Sequence, residues 1–234
     1  MDNITPVLDH GYVRLAGVFG DDLMVVNAAR VSYGKSHSTF TAGDRRLIRY
    51  LWTHDHRSPF YHPKLQFEVR APLLVTRQWQ RHIVDSTFTT EGVAINEQSR
   101  RYTQDDLEFY LPAEWRQPDE ANKQASRPAA ASRPDIQAAL AAWMADGVAQ
   151  YHAALASGVA PEQARLFLPA NAQYTTWYWT ASLFAVLHFW ALRQGEAAQW
   201  EVQQYATVVG QAVHAHFPET WAVAGGPESA ETAT

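Results

Sequence analysis

The stretch Leu65-Gln66-Phe67-Glu68-Val69-Arg70-Ala71-Pro72 decides the fold class. Apolar and polar side chains alternate with period two, which marks a strand with one face buried and the other in water. Pro72 ends that strand and suits the first turn of a helix, which the spacing carries from Leu73 to His82. A half-buried strand running into a helix calls for a sheet with a helical layer against it. Upstream, Tyr12 to Phe19 reads as a second strand, and Gly20-Asp21-Asp22 can cap a helix through Leu23, Val26, Ala29 and Arg30. From about Ala42 to Thr53 a helix gathers Leu47, Ile48, Leu51 and Trp52 on one face, with Arg45, Arg46 and Arg49 mostly opposite.

Downstream, residues 112–134 show no clear period and read as an exposed loop or a weak helix. Ser132-Arg133-Pro134-Asp135 then starts a long helix, with Ser at the N-cap, Pro in the first turn and Ser157-Gly158 at its end. Its expected apolar face is Ile136, Leu140, Trp143, Met144, Val148, Tyr151 and Leu155. Further helices are expected at about 161–167, 176–193 and 196–215. The expectation is one α+β domain over residues 1–221, its small sheet built in the first half and the remainder largely helical, followed by a disordered tail over 222–234.

Composition narrows the function. Hydrophobic residues make up 47% of the 234 and charged ones 18%, so the chain has material for a core. A formal charge of -5 argues against an overall basic surface for nucleic acid. Without cysteine there is no disulfide, thiolate zinc site, iron-sulfur cluster or thiol nucleophile. The start Met1-Asp2-Asn3-Ile4-Thr5-Pro6 lacks a signal-peptide pattern, so a cytoplasmic location is expected. Leu166 to Leu192 holds no charged residue, but Pro169, Asn171, Gln173, Ser182 and His188 interrupt it, and it reads as a buried helix rather than a membrane span. No metal site is expected: His54-x-His56 and His214-x-His216 lack the spacing of helical ligands. There is no GxGxxG and no P-loop.

The densest polar cluster is Thr76-Arg77-Gln78-Trp79-Gln80-Arg81-His82, followed by Asn96-Glu97-Gln98-Ser99-Arg100-Arg101-Tyr102. On a helix Gln78, Arg81 and His82 share one face and make a surface suited to an anion, since the planar fork of arginine pairs with phosphate oxygens. By local charge alone, a solvated helix face is the simpler account.

Arg81-His82-Ile83-Val84-Asp85-Ser86 and Asn96 to Arg101 resemble the signature Arg-His-Arg-x-x-Ser-x-Asn-Glu-x-Ser-x-Arg of the flavin-dependent thymidylate synthases. The resemblance extends in family order through Ala28-Ala29-Arg30-Val31-Ser32, His56-Arg57-Ser58-Pro59-Phe60, Ala164-Arg165-Leu166-Phe167-Leu168-Pro169, Leu192-Arg193 and Ala198-Gln199-Trp200-Glu201. It implies a homotetramer with shared active sites that hold FAD, with methylenetetrahydrofolate as carbon donor and NADPH as reductant. The lack of cysteine agrees, because thiolate-dependent thymidylate synthases need one to attack the pyrimidine.

Carried over residue by residue, the resemblance assigns Gln78, Arg81, Ser99, Arg101 and Arg165 to the nucleotide phosphate and sugar. Glu97, Gln98 and Arg100 would come from a neighbouring subunit, and Arg193 would stabilise charge on the uracil ring. Ser58, Arg81, His82 and Glu97 match flavin-contacting positions, Ser32 matches one reached from another subunit, and His56 matches a histidine near flavin and folate. Ile83 stands where the signature has Arg. The segment between Ser86 and Asn96 is eight residues longer than in the family, Tyr61 replaces a common acidic residue, and Ser182, Phe184 and His188 replace residues of the flavin-binding helix. These departures resemble a branch that methylates UMP as well as dUMP in polyoxin-type nucleoside antibiotic pathways. A strict dUMP-specific enzyme and a flavin-free nucleotide-binding homologue remain open alternatives.

Overall fold

In the computed structural model, which describes residues 4–81, 94–99, 107–129 and 131–225, the strand predicted from Leu65 is β3 (Lys64–Pro72). Leu65, Phe67, Val69 and Ala71 are fully buried, while the residues between them face the open side of the sheet. β3 is the middle strand of an antiparallel sheet in the order β1 (Ile4–Val7), β2 (Gly11–Phe19), β3, β7 (Tyr174–Ser182), β4 (Ala94–Glu97). β3 and β7 pair along their full length, from Lys64 opposite Ser182 to Pro72 opposite Tyr174.

Each of these two strands passes directly into a helix: β3 into α3 (Leu73–Gln80) and β7 into α6 (Leu183–Arg193). Because the strands are antiparallel, the helices start at opposite ends of the sheet, and they meet over its inner face. There the Trp79 ring stacks on Phe189 at 4.2 Å and presents its edge to Trp177 and Trp179 at 5.4 and 5.2 Å. The same core takes in α1 (Asp22–Arg30), α2 (Ala42–Thr53), α7 (Trp200–His216) and α8 (Pro218–Val223). A smaller cluster of Tyr151, Ala154, Ala164 and Leu168 joins α4 (Pro134–Ala156) to α5 (Pro161–Ala164).

The structure corrects several expectations. Residues 174–182, expected to be helical from 176, form β7. The period of two is real there, since Trp177, Trp179 and Ala181 are buried and Thr176, Tyr178 and Thr180 point outward. It is masked because the outward positions are themselves uncharged and aromatic or β-branched. The sheet therefore takes a central strand from the second half of the chain, and Trp177 and Trp179 are core residues of a strand, not of a helix. Within 112–134 lies a hairpin of β5 (Arg116–Pro118) and β6 (Ser126–Pro128). Arg133, not Ser132, is the N-cap of α4, and Trp143 is 57% exposed because Met144, Gly147, Tyr151 and Ala154 make the buried face. Helix α8 runs to Val223, past the expected domain edge, and residues 226–234 lie outside the described residues.

Two buried carboxylates tie distant segments together. Asp22 accepts from the backbone N–H of Glu219 and Thr220 at 2.8 and 3.0 Å and so caps the start of α8. Asp44 is fully buried and accepts from the backbone N–H and the hydroxyl of Thr41 at 2.7 Å, and from Arg30. Burial alone would raise the Asp44 carboxyl, but the hydrogen bonds from Thr41, Arg30 and His37 win and hold it at about 2. That knot fixes the turn carrying Ser32. Since the folded value lies below the ordinary 3.8, the unfolded chain takes up the proton first. The stability contributed by Asp44 is complete above that value and is lost as pH falls towards about 2. Asp44→Ala should cost about 3 to 5 kcal/mol by stranding Arg30 and should flatten the acid limb of the melting temperature between those pH values. An unchanged acid limb in thermal scans against pH would contradict this role.

Candidate functional site

The helices that meet at Trp79 also bring their C-terminal ends together. Arg193 closes the last turn of α6, and Arg81 is the C-cap of α3. One Arg193 terminal nitrogen donates to the backbone carbonyl of Gln78 at 3.3 Å, while its Nε is buried with no partner. Burial pushes the Arg193 guanidinium below its ordinary value, and the charge of Arg81 pushes it the same way. Several arginines elsewhere are neutralised: Arg14 by Glu68, Arg30 by Asp44, Arg45 by Glu219, Arg70 by Glu108. Among the described residues, neither Arg81 nor Arg193 has a carboxylate. Two uncompensated cations held close together favour an anionic or electron-rich ligand between them. The Gln78 side-chain nitrogen donates to Gln199 Oε1, Gln199 in turn donates to Glu201 at 2.8 Å, and the Tyr110 hydroxyl donates to Glu201 at 3.3 Å.

A second group lies where β4 leaves the edge of the sheet. Glu97, Gln98, Ser99 and Arg165 line one cleft of about 730 Å³ with Leu73 and Thr175. Thr175 Oγ1 donates to Glu97 Oε1 at 2.9 Å, and the Gln98 N–H donates to Thr176 carbonyl at 2.9 Å, which pins the start of the loop to β7. Arg165 is exposed and donates through Nε to the Glu162 carbonyl at 3.2 Å, leaving its terminal nitrogens to the cleft. Arg100 and Arg101 lie outside the described residues, as do His82, Ile83 and the segment 87–93 of the long insertion. Next to Arg165, Leu166 is 82% exposed on a short 3-10 turn, an apolar side chain left uncovered at the rim of a polar cleft.

A third cavity, of about 220 Å³, brings His56 and His188 together with Arg57, Trp52, Phe60 and Phe184. The Arg57 guanidinium lies 5.1 Å over the Phe184 ring and pairs with Asp55 at 2.6 Å. Ser58 opens the 3-10 turn Ser58–Tyr61 beside it, and Ser32 is exposed on the turn Val31–Tyr33. Ser182 is buried and its hydroxyl accepts from the Ala185 N–H at 3.2 Å, so it caps α6. Flat aromatic walls with imidazole and guanidinium donors at the rim fit a planar heteroaromatic ring with attached phosphate. The volume is below the roughly 300 Å³ of a small-ligand pocket, so this cavity has room for a single ring system and not for a whole dinucleotide.

Sequence reasoning assigned no role to Arg57, Thr175, Gln199 or Glu201. The signal for the last two was present in Ala198-Gln199-Trp200-Glu201, but their partners lie far away in the chain.

The family model described as thymidylate synthase complementing protein matches residues 14–219. The flavin-dependent thymidylate synthase of Thermus thermophilus is 42% identical over 217 residues, covering 93% of this chain and 76% of the relative. That of Thermosipho melanesiensis is 39% identical and covers 92% and 90%. Among solved structures, the UMP/dUMP methylase PolB of Streptomyces cacaoi bound with 5-Br UMP superposes with a TM-score of 0.77 at 30% identity, over 93% of this chain and 94% of that one. Its complex with 5-Br dUMP gives 0.79 at 29% identity. With its sheet, its clustered arginines and its thiol-free composition, the chain belongs to the family of the flavin-dependent thymidylate synthases.

Proposed function

We propose that this protein is a flavin-dependent methyltransferase that adds a methyl group to C5 of a uracil nucleotide, accepting both UMP and dUMP. Methylenetetrahydrofolate is the carbon donor and NADPH the reductant. The observation that carries the reading is the convergence of Arg81 and Arg193 without a carboxylate among the described residues, at helix ends that a shared aromatic core holds in place. In this reading Arg193 faces the uracil carbonyl side and stabilises charge that develops there. Arg81, Arg101 and Arg165 take the phosphate, with Ser99 and Gln98 beside them. Bound FAD supplies the hydride that a chain without a thiol nucleophile requires. His56, Ser58, Arg81, His82, Glu97, His188 and, from a neighbouring subunit, Ser32 would hold it. Ser182 would contribute through the α6 cap it makes, and Ile83 would contribute an apolar surface in place of an arginine.

The working unit is a homotetramer. The cleft of Glu97 to Ser99 with Arg165 and the group of Gln78, Arg81 and Arg193 are separate constellations, and each subunit completes its neighbour's site. Mixing Arg193→Ala and Arg165→Ala subunits should therefore restore activity that neither variant shows alone. Mixtures as inactive as their components would remove the shared-site arrangement.

Arg193 gives a sharper contrast. Replacing a half-buried cation that lacks an ion partner among the described residues with Met should leave the melting temperature of the unliganded protein unchanged or higher. The same variant should bind nucleotide about 1.5 to 3 kcal/mol more weakly and turn over on the order of 100-fold more slowly. Calorimetry and titration separate the two effects, and a less stable variant with normal binding would refute the assignment.

The lengthened segment before Asn96 supports the broad substrate range, because it adjoins in sequence the residues Glu97 to Ser99 assigned to the nucleotide. A ribose 2'-hydroxyl buried without a partner costs about 1 to 3 kcal/mol, roughly 5- to 150-fold, so UMP and dUMP should be methylated within that factor. Product formation from each nucleotide with FAD, NADPH and methylenetetrahydrofolate decides it. Turnover of dUMP with none of UMP would leave a strict thymidylate synthase.

A further inference from the structure

The Gln78 side chain reaches the proposed nucleotide site at the end of a hydrogen-bond chain whose direction is dictated from its far end. Glu201 is a carboxylate and only accepts; it receives the Tyr110 hydroxyl on one oxygen and the Gln199 amide nitrogen on the other. The N–H end of Gln199 is thereby committed, and its oxygen must face Gln78. That oxygen accepts from the Gln78 amide nitrogen. Gln78 in turn cannot rotate its amide without setting two oxygens against each other. An amide has no intrinsic preference between its two orientations, so in the absence of Glu201 the chain would hold either one.

We infer that Gln199 and Glu201 are positioning residues that hold the Gln78 amide with its carbonyl oxygen free for the ligand, so that Gln78 selects a hydrogen-bond donor of the nucleotide. The inference rests on the nucleotide reading of this site. A phosphate offers oxygens and the arginines meet those; the Gln78 oxygen requires an N–H or O–H. On a uracil nucleotide that donor is the ring N3–H or a sugar hydroxyl. Arg193 donates to the Gln78 backbone carbonyl, so the residue whose amide is oriented also anchors the half-buried guanidinium.

The test reverses and then restores the direction of the chain. Glu201→Gln lets both amides turn over; the double variant Gln199→Glu with Glu201→Gln moves the acceptor-only group one place along and again forces Gln78 to give its N–H to position 199. Tryptophan fluorescence of the full-length protein, free of any turnover, reads the affinities of dUMP, N3-methyl-dUMP, 2',3'-dideoxy-UMP and inorganic phosphate. The ratio of dUMP to phosphate affinity removes the effect of altered charge. That ratio should fall about 2-fold in Glu201→Gln, because two equally populated orientations leave half of the amides competent, and return to the wild-type value in the double variant. The fall should vanish for whichever analogue lacks the selected donor. A ratio unchanged in Glu201→Gln, or one that stays low in a double variant melting at the wild-type temperature, overturns the inference. Wild-type protein that binds phosphate but no nucleotide overturns the nucleotide reading, and the inference with it.

Discussion

The full-length antiparallel pairing of β3 with β7 is the constraint from which the rest of the structure follows. Each strand runs without a loop into its own helix, so the register of the strands sets where the two helices begin. Starting at opposite ends and folding over the same face, they meet at Trp79 and Phe189, seven residues into each. An aromatic stack of this kind buries a large apolar area and adds a geometric preference beyond it. A helix of eight residues has little stability of its own, so α3 depends on this contact for its place.

The helix ends supply the electrostatics that let Arg81 and Arg193 sit close together. The C-terminal end of a helix carries partial negative charge from unsatisfied carbonyls, which favours cations there. That field offsets part of the repulsion between the two guanidiniums, and the Gln78 carbonyl accepts one of them directly. The balance leaves positive potential over, shared between the exposed Arg81 and the half-buried Arg193. Under the proposed function, stability and ligand affinity are set against each other at Arg193, since the same half-burial that disfavours its charge in the free protein would favour an anionic partner.

Elsewhere the chain spends its charges on structure. Asp44 gathers Arg30, His37 and Thr41, and Asp22 reaches across the chain to cap α8. On the open face of the sheet, Glu68 accepts from both Tyr12 and Arg14, and burial together with that bond raises the Tyr12 hydroxyl to about 12. Arg81 and Arg193 differ from these paired arginines in that neither has a carboxylate among the described residues, and the charge of the one acts on the other.

Much of this was legible in the linear sequence. The alternation from Leu65 to Ala71, the Asp21 cap of α1 and the helix from Ala42 to Thr53 each depend on side chains within one or two turns of each other, where local geometry dictates the outcome. The absence of cysteine closes off thiolate chemistry by composition alone, whatever the fold. Tertiary structure decided what depends on partners far apart in sequence. Residues 174–182 became a strand because β3 offers an edge and a buried face for Trp177 and Trp179, which no local period could reveal while Tyr178 hid the alternation. The convergence of residues 78, 81 and 193, and the chain from Gln78 through Gln199 to Glu201, exist only because two strands fix where two helices begin and α7 packs beside them. Hydrogen-bond direction passes between side chains more than a hundred positions apart, so it belongs to the fold and not to any segment of the chain.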